Sequence, residues 1–98
     1  MKKYLVLELQ GRGEIESVEF IEDIGKFIEE KKNELETDEF FNIGEYDWGF
    51  DLVLYEEWSY LCFDIESDLV KDFSKKVGVD VNELDRFEEI EELLELIF

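Results

Sequence analysis

The side chains here that could do chemistry are carboxylates. Twenty-nine Asp and Glu stand against ten Lys and Arg, there is no His, and Cys62 is the single cysteine. Without an imidazole the usual acid–base group at neutral pH is missing. Ser17, Ser59, Ser67 and Ser74 therefore lack the base that would activate a hydroxyl nucleophile. Adjacent carboxylates such as Glu88-Glu89 could serve glycosidic cleavage, but a 98-residue chain has little room for the sugar cleft that this needs. Glu45, Asp47, Asp51 and Glu56 have part of the spacing of a calcium loop. Counted from Glu45, however, Phe50 stands where such a loop requires glycine, and Gly49 where it requires an oxygen ligand. Gly11-Arg12-Gly13 begins like a dinucleotide loop, but Glu16 occupies the place of its third glycine, and Glu14 and Glu16 would repel a pyrophosphate. No catalytic residue, metal site or cofactor is expected, so the reading is of a non-enzyme. Cys62, inside an aromatic run, reads as a small buried apolar residue in a reducing compartment.

What remains for the carboxylates is recognition. A formal net charge of −19 repels nucleic acid and anionic membranes and attracts basic protein surfaces. The acid is also unevenly placed. Residues 33–70 contain no Lys or Arg, yet hold Glu34, Glu36, Asp38, Glu39, Glu45, Asp47, Asp51, Glu56, Glu57, Asp64, Glu66 and Asp68. A second cation-free stretch covers residues 87–98. If residues 81–97 form one helix, seven like-charge pairs among Asp85, Glu88, Glu89, Glu91, Glu92 and Glu95 fall three or four apart. Each such pair costs about 0.2–0.5 kcal/mol, so a surface use for this acid is expected.

Aromatic residues accompany the acid: Tyr46, Trp48, Tyr55, Trp58 and Tyr60. Simple alternation along a hairpin puts Tyr55, Trp58 and Tyr60 on the sheet face opposite Leu52 and Leu54. If no helix covers that face, it forms an aromatic patch rimmed by acid, a suitable interface centre. The expected partner-binding residues are Asp38, Glu39, Glu45, Tyr46, Asp47, Trp48, Tyr55, Glu56, Glu57, Trp58, Glu88, Glu89 and Glu92.

The elements that must position them follow from hydrophobic period and punctuation. Residues 4–9 read as a strand broken at Gly11-Arg12-Gly13. A helix from about residue 18, capped by Ser17, fits the spacing of Phe20, Ile21, Ile24, Phe27 and Ile28, although residues 14–19 also fit the return strand of a hairpin. Residues 33–49 read as a loop pinned by Phe40 and Phe41. Residues 50–55 and 58–65 read as a second hairpin. Ser67 or Asp68 caps a helix that Gly78 ends, and Asp80 with Glu83 opens a last helix whose inner face carries Leu84, Phe87, Ile90, Leu93, Leu94 and Ile97. Val77-Gly78-Val79 between these helices resembles the turn of a helix-turn-helix scaffold, without the basic second helix of a DNA reader. The expectation is a single α+β domain over residues 1–98. Its mainly antiparallel sheet of about three strands, with room for a fourth, is covered by three helices in the order β-α-β-β-α-α.

In size and acidity the chain resembles phage-borne anti-restriction and anti-CRISPR proteins, with no family motif to anchor the likeness. That resemblance implies a nucleic-acid mimic that blocks the basic surface of a nucleic-acid-handling enzyme. The alternative is an immunity protein or antitoxin that neutralises a basic, nuclease-type toxin. A third reading is an acidic adaptor or a homodimer joined through the apolar last helix. Residues 4–7 are too short an apolar run for a signal peptide and no run spans a membrane, so a cytoplasmic protein is expected.

Overall fold

Period-two alternation governs more of the chain than expected. A computed structural model describes residues 3–11, 13–34, 42–54 and 58–98, and the backbone of Tyr55. The strands are β1 (Tyr4–Gln10), β2 (Glu14–Ile21), β3 (Asn42–Tyr46), β4 (Gly49–Tyr55) and β5 (Trp58–Asp64). The helices are α1 (Ile24–Glu34), α2 (Asp68–Val77), a 3-10 helix (Val81–Arg86) and the four-residue α3 (Glu91–Leu94). All strands join one antiparallel sheet in the order β2-β1-β5-β4-β3. The expected sheet of three or four strands in the order β-α-β-β-α-α is therefore wrong. Two further strands, β2 and β3, stand where a helix start and a loop are expected, and the helices are smaller.

The first is β2, the hairpin return that residues 14–19 also fit. Gly11 and Gly13 take φ of 60° and 94°, which glycine adopts without steric cost, so the chain turns back at once. Phe20 and Ile21 then pair with Leu5 and Tyr4. Their spacing from Ile24 satisfies a helical period equally well, which is why the helix was expected too early. The helix starts at Ile24, where the Asp23 carboxylate accepts the Lys26 backbone N–H at 3.1 Å. The second is β3, inside the expected loop. Its only large aliphatic residue is Ile43, and pairing with β4 rather than its own alternation makes it a strand.

Both faces of the sheet are covered. On one, Val6, Leu52, Leu54, Tyr60 and Cys62 pack with Phe27 of α1. On the other, Leu5, Leu7, Leu9, Leu61 and Phe63 pack with Val70 and Phe73 of α2, Leu84, Ile90, Leu93 and Leu94. Tyr60 lies directly opposite Leu52 in the β4–β5 ladder and so shares its face. Simple alternation through a two-residue turn would place them on opposite faces. A register shift between Val53 and Tyr55 explains the difference: one extra residue inverts the parity of every side chain beyond it.

The second half divides as its caps dictate, up to a point. Ser67 caps α2 by accepting the Val70 N–H, and Gly78, in the left-handed region at φ 71°, closes it. Asp80 caps the next element through the Asn82 N–H at 2.8 Å, but that element is a 3-10 helix, and Phe87 leaves it with extended backbone. The expected long last helix is thus two short pieces. Phe73 and Phe87 meet edge to face, with centroids 6.0 Å apart, and burial of Leu84, Ile90, Leu93 and Leu94 sets the path of the chain. Two consequences follow. The like-charge pairs involving Asp85 bridge the break at Phe87 instead of lying on one helix, so the stability cost assigned to them lapses. A dimer seam along a continuous last helix also has no helix to carry it. Among the described residues, no helix is long and apolar enough to cross a membrane.

Candidate protein interface

The β3–β4 hairpin and the chain around it gather the exposed aromatic and apolar residues. The hairpin closes over Asp47-Trp48, with Tyr46 paired to Gly49. Gly49 has φ 144°, and a Cβ there would overlap the Cys62 carbonyl oxygen of β5. Only glycine lets the hairpin lie so close to its neighbour. The Trp48 carbonyl oxygen accepts the Asp64 N–H at 2.8 Å, which holds the turn against β5. So held, Trp48 packs on fully buried Phe63 with ring centroids 4.6 Å apart, and Tyr46 stacks on Trp48 at 4.8 Å with planes 5° apart. The result is an aromatic column running from a 51% exposed Tyr46 to the core.

One carboxylate is fixed beside the column. Asp51 accepts the Gly44 N–H at 2.9 Å with one oxygen and the Tyr46 hydroxyl at 3.2 Å with the other. Gly44 makes room for this, since a Cβ there would stand 2.6 Å from the Asp51 oxygen. The negative charge of Asp51, assisted by the hydrogen bond, raises the pKa of the Tyr46 phenol.

Three adjoining depressions surround Tyr46 and Trp48. The first, about 200 Å3, is lined by Tyr46, Trp48, Asp51, Leu61 and Leu69, and by Leu96, Ile97 and Phe98 from the C-terminal run. It lies where the sheet face over β4 and β3 emerges from beneath α2. Its volume falls below the roughly 300–1,000 Å3 of small-molecule sites and suits a single side chain. The second is lined by Tyr4, Glu45, Tyr46, Asp47, Phe50 and Asp64, and the third by Asp47, Trp48, Asp68, Leu69 and Asp72. Asp47, Asp51, Asp68 and Asp72 thus rim the Tyr46–Trp48 column, with no Lys or Arg among the described residues lining the first and third depressions, while Glu45 and Asp64, paired with Phe50 and Tyr4, flank the hairpin from the α1 face.

The structure divides the residues expected to bind a partner. Tyr46, Asp47 and Trp48 come together here, while the Glu45 side chain, paired with Phe50, lies on the α1 face at the edge of the same hairpin. Trp58 lies elsewhere, on the α1 side of the sheet, where its indole N–H donates to Glu8 at 2.8 Å. Tyr60 donates to the same Glu8 oxygen at 3.3 Å and is buried. Glu88 and Glu89 line a separate depression that also contains Arg86, and Glu92 is half-buried. Asp38, Glu39, Glu56 and Glu57, the Tyr55 side chain and the proposed anchors Phe40 and Phe41 lie outside the described residues. Sequence reasoning missed Asp51 as an interface residue, together with Asp64, Asp68, Asp72, Leu69, Leu96 and Phe98. The cation-free run already contained Asp51, Asp64 and Asp68. Asp72 and the C-terminal residues join only through the tertiary fold.

Among the described residues no group of His, Cys, Asp and Glu is arranged to hold a metal ion. Burial pushes the Cys62 thiol up to about 12, with a smaller contribution from the Asp51 charge. Comparison with known proteins finds no matching family model, no matching curated protein and no matching solved structure.

Proposed function

We propose that this chain is a non-catalytic inhibitor in the cytoplasm that binds the basic, nucleic-acid-binding surface of a target protein. The observation behind this is the cation-free group of four carboxylates, Asp47, Asp51, Asp68 and Asp72, around the Tyr46–Trp48 column. At physiological ionic strength, charges are screened over about 8 Å. A docked cation therefore feels the carboxylates of its own patch rather than the net −19 of the chain. The acidic rim speeds encounter with a Lys- and Arg-rich groove, and burial of the aromatic centre slows release.

A second reading, an immunity protein that neutralises a basic nuclease-type toxin, gains from the compactness of the patch. A mimic of nucleic acid distributes charge along a path. Here the acid gathers around one aromatic centre, and Glu88 and Glu89 stand apart beside Arg86.

The test is affinity capture from host lysate at low and moderate salt, followed by nucleic-acid binding or cleavage assays on the captured protein. The expected result is one basic protein, lost as salt rises, whose activity on nucleic acid is blocked by the wild-type chain and not by a Tyr46→Ala/Asp47→Lys variant. Equal capture and equal inhibition by the variant would remove the patch from the mechanism. Turnover of a metabolite by the chain would end the non-catalytic reading.

A further inference from the structure

We infer that the groove beside the aromatic column takes an arginine side chain of the partner, stacked on the outer face of Tyr46. This rests on the proposed acidic-inhibitor function and narrows the chemistry of its partner. The apolar features of the site are a parallel Tyr46–Trp48 stack, a 44% exposed Leu96 and an 82% exposed Phe98. An aliphatic partner residue would gain from these but not from the rim of Asp47, Asp51 and Asp68. A lysine would gain from the rim, but its ammonium is compact and strongly hydrated, and gains less from lying flat on a ring. A guanidinium satisfies both: it is planar, weakly hydrated and always charged, it stacks on aromatic faces, and it donates in plane to carboxylates.

The site is pre-formed for such a guest. Trp48, held from behind by Phe63, fixes the plane of Tyr46. Asp51 fixes the Tyr46 hydroxyl, so little rotamer freedom remains to be lost on binding. A second copy of the chain is a poor occupant, since it brings another −19 and an equally acidic rim.

The experiment titrates the full chain with oligo-arginine and oligo-lysine peptides of equal length at low salt, following the indole N–H signals of Trp48 and Trp58 by NMR. The expected result has three parts. Both peptides shift the Trp48 signal and leave Trp58 in place. Oligo-arginine binds about two- to fivefold more tightly, the increment of a cation–π contact at an exposed site. Tyr46→Leu removes that preference by weakening oligo-arginine binding more than oligo-lysine binding, whereas Glu88→Gln, in the separate depression beside Arg86, leaves both affinities as they were. Equal affinity of the two peptides, or a preference that survives Tyr46→Leu, would overturn the arginine seat and leave the acidic-surface function standing. Failure of both peptides to move Trp48 would overturn both. Broadening of the Trp48 signal with protein concentration alone would assign the groove to self-association and also defeat the proposal.

Discussion

Trp58, Tyr60 and Glu8 form one set of side chains, and Trp48, Tyr46 and Asp51 another built from the same three kinds of group. In the first set, on the α1 side, one Glu8 oxygen accepts both the Trp58 indole and the Tyr60 hydroxyl, while Tyr60 meets Phe27 edge to face at 5.2 Å. Tyr60 is 4% exposed, and the set acts as a polar clasp over one core. In the second set the rings stack, the carboxylate holds only the outer ring, and Tyr46 stays half in solvent. Residue type does not separate the two. Position in a hairpin does. Tyr60 sits mid-strand opposite Leu52, with a helix above it, whereas Tyr46 and Trp48 sit at the turn, where only the first residues of α2 border them. An aromatic–acid group becomes an interface candidate only where the covering layer ends.

The strongest way to break this contrast is to dislodge the turn. Gly49→Ala forces a Cβ against the Cys62 carbonyl at a φ that alanine avoids. It should cost about 3 kcal/mol or more in urea unfolding, and should lower the affinity for basic peptides as well. If stability stays within experimental error, the close approach of β4 to β5 does not hold the column in place.

Glu8→Ala tests the clasp. Trp58 and Tyr60 would keep partly buried donors without their acceptor, a loss of roughly 2 kcal/mol. Basic-peptide affinity should not change. A variant that loses binding and keeps stability would show that the two sets had been assigned the wrong way round.

Alkaline pH offers a third test of the inward set, through Cys62 beside it. The folded thiol titrates at about 12, against an ordinary value of 9.0. Between those values the unfolded chain gives up a proton that the folded chain keeps. The thiol's contribution to stability is therefore complete below pH 9 and declines as pH rises to about 12, by at most about 1.4 kcal/mol per pH unit. Denaturant midpoints measured across that range should fall less steeply in Cys62→Ala than in the wild type. Parallel slopes would mean that the thiol is not sealed from water.

Much of this arrangement could be read in advance, and the failures have physical causes. Leu5, Leu7 and Leu9 announced β1, and Ser67 and Gly78 bracketed α2. The cation-free run marked the region that bears the column. What escaped was non-local. β2 shares its apolar spacing with a helix, β3 owes its existence to β4, and a single extra residue in β4 exchanged the faces of Trp58 and Tyr60. Composition could say that acid and aromatics travel together. It could not say that Leu96 and Phe98 would arrive beside Tyr46.

Smallest in energy, and most direct as a comparison, is the titration of the two phenols. Both pKa values are raised, but by different means. For Tyr60 burial is the largest cause; Lys31 pulls the other way and Glu8 adds a further increase. For Tyr46, half in solvent, the main cause is the Asp51 charge. Asp51→Asn removes the charge and keeps a side chain able to accept from the Tyr46 hydroxyl. The Tyr46 titration, followed by ring-carbon NMR, should then fall back toward 10.0, while that of Tyr60 stays raised. With basic peptide bound, the guanidinium should lower the Tyr46 value in the wild type as well, because a neighbouring cation favours the phenolate. A Tyr46 titration indifferent to both changes would mean that Asp51 and the ring are not coupled as their geometry requires. The exposed set would then lose the one carboxylate that the fold holds in a fixed place.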